Sequence, residues 1–217
     1  MKALEARIPL ALVVGVSSML RKQLSRDPYT TLAKRLGMLS RAAFKLQYVQ
    51  KRYGFLKPGD SVIILGSAPG GMAQLAARYV GPHGLVVAVD VKPQDFKIAD
   101  NVISITADVF DPDITERIRK ALKSGQADKL VSDLSPSLTG FREVDVPRQL
   151  ELVEAALKIA GELVRKGGGV YLKIFESPEA KSIEDSLRSS FQKVKRIVPM
   201  ATRKHSSEIF LLALEKR

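Results

Sequence analysis

An α/β fold, an open sheet of buried strands joined by helices, is predicted by three features of the sequence. The first is Asp60-Ser-Val-Ile-Ile-Leu-Gly-Ser-Ala-Pro-Gly-Gly-Met72, an apolar run that breaks into a glycine-rich turn. Val62 to Leu65 has the short β-branched character of a strand covered on both faces. The second is helical spacing that resumes through Met72, Leu75, Ala76 and Tyr79, so the turn sits at a strand's carboxyl end and opens a helix. The third is another apolar strand, Leu85 to Val89, closed by Asp90. In open α/β sheets that end of the strands is where nucleotide-like ligands bind.

Upstream of this segment, residues 1 to 20 carry Ile8-Pro-Leu-Ala-Leu-Val-Val-Gly-Val16, which superficially looks like the apolar part of a signal peptide. The following Ser-Ser-Met-Leu-Arg-Lys offers no convincing small-x-small cleavage site, and the apolar stretch is too short to span a bilayer. A packed or partner-facing segment in a cytoplasmic protein is therefore expected, not an exported one. Ser40 is placed to cap a helix carrying Ala43, Phe44, Leu46 and Val49, with Lys45 within it and an end near Tyr53-Gly54. Leu56-Lys-Pro-Gly-Asp60 is the turn into the first strand.

Downstream, Asn101 to Thr106 reads as a third strand and Ile114 to Leu122 as a helix. Lys129 to Asp133 is a fourth strand, followed by the loop Leu134-Ser-Pro-Ser-Leu-Thr-Gly140. Pro147 is expected to fix a helix start, with Leu150, Val153, Ala156, Leu157, Ala160 and Leu163 on its apolar face until Gly167-Gly-Gly169 stops it. Val170 to Phe175 is a buried strand with Lys173 inside it. Pro178 to Phe191 is a helix, Val194 to Val198 a strand, and Ser207 to Leu214 a final strand that opens with Glu208.

What the glycine loop lacks narrows its ligand. Without Gly-Lys-Ser/Thr it is no phosphate-gripping P-loop, and its glycines do not follow the G-x-G-x-x-G spacing of dinucleotide folds. Asp90, 24 positions after Gly66, is suitably placed to accept hydrogen bonds from a ribose diol. Such a loop followed by a ribose-reading acid suggests S-adenosylmethionine, although the glycines alone would also make an ordinary tight turn. Asp108, at the end of the third strand, stands where it would face an adenine ring or cap a helix. Asp133 sits at yet another strand carboxyl end.

A chain of 217 residues buries one good core, so a single domain with an appendage is expected. There is no cysteine, and only His83 and His205 offer imidazole, which leaves little for a metal site. The formal charge of +12 favours a polyanionic partner such as RNA or DNA. Its position is informative, because ten Lys or Arg lie between Arg21 and Lys57 against one acid, Asp27. Lys193, Lys195, Arg196, Arg203 and Lys204 form a second cluster. Brought together, the two would make one phosphate-binding face.

Lys45, Asp133, Lys173 and Glu208 lie on four elements, each against an apolar neighbourhood. Taken singly, each reads as a snorkelling lysine or an edge carboxylate. Taken together, two lysines and two carboxylates would neutralise one another in a single cleft. Six segments then carry a resemblance: Ser40-Arg-Ala-Ala-Phe-Lys-Leu46, Leu65-Gly-Ser-Ala-Pro-Gly-Gly71, Ser132-Asp-Leu-Ser-Pro136, Asp145-Val-Pro-Arg148, Leu172-Lys-Ile-Phe175 and Ser206-Ser-Glu-Ile209. In kind and order they resemble the motifs of the FtsJ/RrmJ family of RNA 2′-O-ribose methyltransferases, over roughly residues 24 to 214.

The resemblance implies a Rossmann-like class I methyltransferase, a seven-stranded mixed sheet with helices on both faces and its last strand antiparallel. It implies a basic, RNA-facing extension over residues 1–38 and an S-adenosylmethionine-dependent methyltransferase domain over 39–217. The family's Lys-Asp-Lys-Glu tetrad falls on Lys45, Asp133, Lys173 and Glu208. Gly66, Gly70, Gly71 and Met72 would line the cofactor channel, Asp90 would take the ribose, Asp108 the adenine edge, and Asp133 would close the site near the sulfonium. The family often has an acid where this chain has Ile64 and a tryptophan where it has Met72.

The expected substrate is the 2′-hydroxyl of a uridine in large-subunit ribosomal RNA. The tRNA anticodon loop or an mRNA cap is the alternative target, and a catalytically silent RNA-binding assembly factor is the non-enzymatic alternative. A monomer without metal or membrane partner is expected. There is no Asn/Asp-Pro-Pro-Tyr/Phe motif for amino-group methylation, and a basic arm would be superfluous for a small substrate.

Overall fold

The computed structural model describes residues 28–94, 97–199 and 207–217. In chain order the elements are α1 (Pro28–Arg35), α2 (Ala42–Tyr53), β1 (Ser61–Leu65), α3 (Gly71–Val80), β2 (Leu85–Asp90), β3 (Val102–Thr106) and α4 (Ile114–Ala121). They continue with β4 (Ala127–Ser132), α5 (Arg142–Leu163), β5 (Val164–Phe175), α6 (Pro178–Ser190), β6 (Phe191–Ile197) and β7 (Glu208–Lys216). The segment 1–20, the cluster members Arg21, Lys22, Arg26, Arg203 and Lys204, and His205 lie outside the described residues.

The strands form one seven-stranded sheet in the order β3-β2-β1-β4-β5-β7-β6. The pairs from β3 through β5 are parallel, whereas β7 runs antiparallel to both β5 and β6. The order reverses at β1, so a crevice opens outside the carboxyl ends of β1 and β4.

Strand periodicity divides the apolar residues between two layers. Val62, Ile64, Val86, Ala88, Val131, Tyr171 and Phe210 pack under α1, α2 and α3. Ile63, Leu65, Val87, Leu130, Leu172, Ile174 and Leu211 pack under α4, α5 and α6. Ile64, the position where the family often has an acid, is fully buried in the first layer. Ala33 and Met38 are buried in that layer too, and Tyr29 meets Phe44 at 5.7 Å between ring centroids, which seats α1 on α2.

Three local expectations are corrected. Ser40 does not cap α2: the N-cap is Arg41, and the Ser40 hydroxyl is buried without a hydrogen-bond partner. Pro147 lies inside α5, which starts at Arg142. The first turn is already closed there, because the N–H groups of Val144 and Asp145 donate to the Phe141 carbonyl and the Asp145 carboxylate collects the preceding turn. Nor does the glycine triplet stop α5, which ends at Leu163 and passes directly into β5. The Lys216 ammonium ends it by donating to the carbonyls of Ala160, Gly161 and Val164 at 3.1, 2.7 and 2.6 Å. The glycines instead serve a bulge, where the β4 register shifts between Ala127 and Lys129.

Candidate active site

The glycine loop leaves β1 where three backbones converge. Gly66, with φ of +74°, and Ser67 both donate to the Val89 carbonyl, and the Asp133 N–H donates to the Leu65 carbonyl at 3.0 Å. A Cβ at Gly66 would stand 2.9 Å from the Leu134 nitrogen, so only glycine lets the loop pass the end of β4. Asp90 ties the same loop to β2: one carboxylate oxygen accepts the Ala68 N–H at 2.8 Å and the other the Lys92 N–H at 2.9 Å. Each oxygen keeps a lone pair for a further donor.

Gly70 is the N-cap of α3, lying against Ile98 and Leu39, and Gly71 begins the helix beneath Ser40. A Cβ at Gly71 would fall 2.2 Å from the Ser40 Oγ and 2.7 Å from its nitrogen, a collision with backbone that no rotamer relieves. Gly71→Ala is therefore expected to destabilise the fold by about 1–3 kcal/mol, read as a lowered urea midpoint. An unchanged midpoint would mean that the α2–α3 contact yields without cost.

Met72, in the first turn of α3, and Asp108, just beyond β3, differ in exposure. The Met72 side chain is 2% exposed and belongs to the apolar layer under α2 and α3, so the loop presents backbone there. Asp108 is exposed at the end of β3 and spends one carboxylate oxygen on the Phe110 N–H at 3.0 Å, which closes a local turn.

The four charged residues converge. In the antiparallel register of β5 and β7, Lys173 faces Phe210 and Phe175 faces Glu208, so Tyr171, Lys173, Glu208 and Phe210 share the face under α2. Lys45 descends from the buried side of α2 and bridges two carboxylates, 3.1 Å from Asp133 Oδ1 and 3.2 Å from Glu208 Oε2. Lys173 Nζ lies 3.4 Å from the same Asp133 oxygen and donates to the Asp133 carbonyl at 3.0 Å. Both lysine side chains are about 5% exposed or less.

Such a cluster is stable only because each ammonium has a carboxylate. Burial is the largest influence on Lys173 and lowers its pKa; Asp133 opposes this, and Lys45 reinforces it. Burial leads, and the neighbouring lysine comes after it. The outcome is an amine that gives up its proton more readily than an ordinary lysine, held at a strand end beside the glycine loop.

Three supporting residues carry no sequence signal of their own. Tyr171 donates its hydroxyl to the Lys45 carbonyl at 3.4 Å, and burial pushes its own pKa well up. The Lys45 ammonium stands 5.1 Å from the centre of the Phe210 ring. Gln149, 1% exposed, donates to the carbonyls of Leu134 and Lys173, fastening the loop after β4 to β5. Only contact across the folded sheet reveals them.

Two basic clusters of the sequence also meet. The Lys195 ammonium of β6 lies 5.1 Å from the centre of the Tyr53 ring at the end of α2, and the Arg52 guanidinium lies 5.9 Å from the same ring. Among the described residues no group of three or more His, Cys, Asp or Glu is arranged to hold a metal, and no helix is long and apolar enough to cross a membrane.

Sheet order and a glycine loop at the carboxyl end of β1, tied by Asp90 to β2, define a Rossmann-like methyltransferase domain. Solved structures share the fold. A protein described as a ribosomal RNA methyltransferase of Plasmodium falciparum superposes with a TM-score of 0.71 at 22% identity, over 82% of this chain and 98% of that one. Fibrillarin of Aeropyrum pernix, solved with natively bound S-adenosylmethionine, gives a TM-score of 0.57 at 19% identity, over 79% of this chain and 76% of its own. The chain belongs to the FtsJ-like methyltransferase family, whose model matches residues 38–216. Among curated relatives, ribosomal RNA large subunit methyltransferase E of Coxiella burnetii is 40% identical over 195 residues, 88% of this chain and 91% of that protein. The protein of the same name from Methanothermobacter thermautotrophicus is 39% identical over 187 residues, 86% of this chain and 88% of its own.

Proposed function

We propose that the protein transfers the methyl group of S-adenosylmethionine to a ribose 2′-hydroxyl of large-subunit ribosomal RNA. The observation that carries this reading is the convergence of Lys45, Asp133, Lys173 and Glu208 beside the glycine loop. The relatives' shared name supplies the RNA class. The loop fits an adenosine in preference to a phosphate, because an acid, Asp90, stands at its side and no lysine follows its glycines.

S-adenosylmethionine supplies a methyl group on a positively charged sulfur. As a C–O bond forms and the C–S bond breaks in line, the hydroxyl proton must leave. Lys173 is assigned to that proton: its lowered pKa puts the neutral, proton-accepting amine within easier reach than in an ordinary lysine. Asp133 orients Lys173 through carboxylate and carbonyl, while Lys45 and Glu208 keep Asp133 in place. Gly66, Gly70 and Gly71 provide the backbone against which the cofactor lies, Asp90 the acceptors for its ribose, and Asp108, through its second oxygen, the adenine edge. Segment 1–38, whose Lys34 and Arg35 are exposed, and the meeting of Arg52 with Lys195 supply phosphate contacts.

The test is transfer of labelled methyl from S-adenosylmethionine to unmodified large-subunit rRNA, assembled subunits and bulk tRNA, with nuclease mapping of the product. Label in a 2′-O-methylated rRNA nucleotide is expected. Label in tRNA alone keeps the chemistry and overturns the target; RNA binding without any label makes the protein a non-catalytic factor.

A further inference from the structure

Leu138 and Phe141 lie on the loop from Asp133 to α5 and expose large apolar side chains, 64% and 68% accessible, the highest values among the exposed large apolar residues described. Val144, at the same three-residue spacing, is exposed as well. Such side chains need a reason when the backbone beneath them is fixed.

Here it is fixed from both ends. The Asp145 carboxylate accepts the Thr139 N–H at 2.9 Å, the Thr139 hydroxyl at 2.9 Å and the Gly140 N–H at 3.0 Å. The Phe141 N–H donates to the Thr139 hydroxyl at 3.1 Å, and the Arg142 guanidinium donates to the Glu176 carbonyl. At the near end, Gln149 binds the carbonyls of both Leu134 and Lys173. The loop is thus an arm rooted on Asp133 and on β5, the strand that carries Lys173.

A ribose presented to Lys173 is covalently joined to its neighbours, so the flanking nucleotides must run past this arm. Unpaired RNA is gripped chiefly by stacking bases on exposed aromatic rings, with sequence-tolerant contacts to apolar side chains. The adjoining Arg142 and Arg148 suit a polyanion. We propose that Phe141, with Leu138 of the same loop, is a stacking platform for a base next to the methylated nucleotide. This rests on the RNA-methylating reading above.

The chain has no tryptophan, so Phe141→Trp introduces a single indole reporter. Its fluorescence is expected to be quenched by the RNA that the wild-type chain methylates. Phe141→Ala is expected to raise KM for that RNA roughly 10- to 100-fold, with kcat and KM for S-adenosylmethionine little changed, and Phe141→Tyr to restore it. An indole indifferent to saturating RNA, with an unaltered RNA KM for Phe141→Ala, overturns the platform while wild-type methylation stands. A fluorescence response to RNA-free large-subunit proteins assigns the patch to a protein contact and also overturns it. Failure of the wild-type chain to methylate any RNA removes both readings together.

Discussion

Replacing Lys173 with alanine is expected to abolish methyl transfer while S-adenosylmethionine binding is largely retained. The ammonium is buried at the end of β5, touches Asp133 through two contacts, and lies on the same sheet face as Glu208. Loss of a positioned proton acceptor alone costs about 10²–10⁴-fold in rate. The fold should tolerate the change, since Lys45 still neutralises Asp133 at 3.1 Å and Gln149 holds the backbone of residue 173 rather than its side chain. Single-turnover methyl transfer and calorimetric titration of the cofactor would read the two effects separately. A variant with near-normal turnover would remove Lys173 from the mechanism.

Asp133→Asn is expected to damage both stability and catalysis. Asp133 is the carboxylate shared by two buried lysines, so its neutralisation leaves Lys173 facing Lys45 with the residue-133 carbonyl as its hydrogen-bond partner and Glu208 as the one carboxylate still favouring its charge. Breaking a buried ion pair from one side costs about 3–5 kcal/mol. The loss should depend on pH in a defined sense. Lys173 already has a folded pKa below its unfolded value of 10.5, and Asp133 is the largest influence holding it up. Without Asp133 the folded pKa falls further, so the added instability is full below the variant's folded pKa and fades as pH climbs through the folded pKa of the wild type, above which Lys173 is neutral in both. Urea midpoints of wild type and variant should lie farther apart at about pH 6 than at about pH 9. Equal separation at both would show that Lys173 is not the group responsible.

In the sequence, the fold was legible wherever a strand was short, apolar and closed by a turn. Val62 to Leu65 and Leu85 to Val89 fall in β1 and β2, and Lys129 to Asp133 overruns β4 by one residue, since burial on both faces leaves an apolar run with no other use. Helix limits were less legible where a distant residue sets them. The end of α5 is imposed by Lys216, 52 to 56 positions away, and its beginning by a carboxylate that gathers the preceding turn, so neither Pro147 nor the glycine triplet marks the boundary. Lys45, Asp133, Lys173 and Glu208 stood out because charge inside an apolar run is costly without a partner. Tyr171, Gln149 and Phe210 did not, because an aromatic or amide in a buried element is unremarkable until its neighbour across the sheet is known. Phe141 carries no signal for the opposite reason, since a lone aromatic in a loop gives no hint of how firmly that loop is held.

The placement of β7 bears on how the molecule is made. This strand must enter between β5 and β6, both of which leave the ribosome before it, and it brings Glu208 to a lysine 163 positions earlier in the chain. Contacts of such separation close late in folding. A nascent chain that has emerged only as far as β6 therefore lacks one carboxylate of the tetrad and the strand that seals the middle of that half-sheet. The cluster of two lysines and two carboxylates is thus completed together with the sheet, and not before β7 is in place.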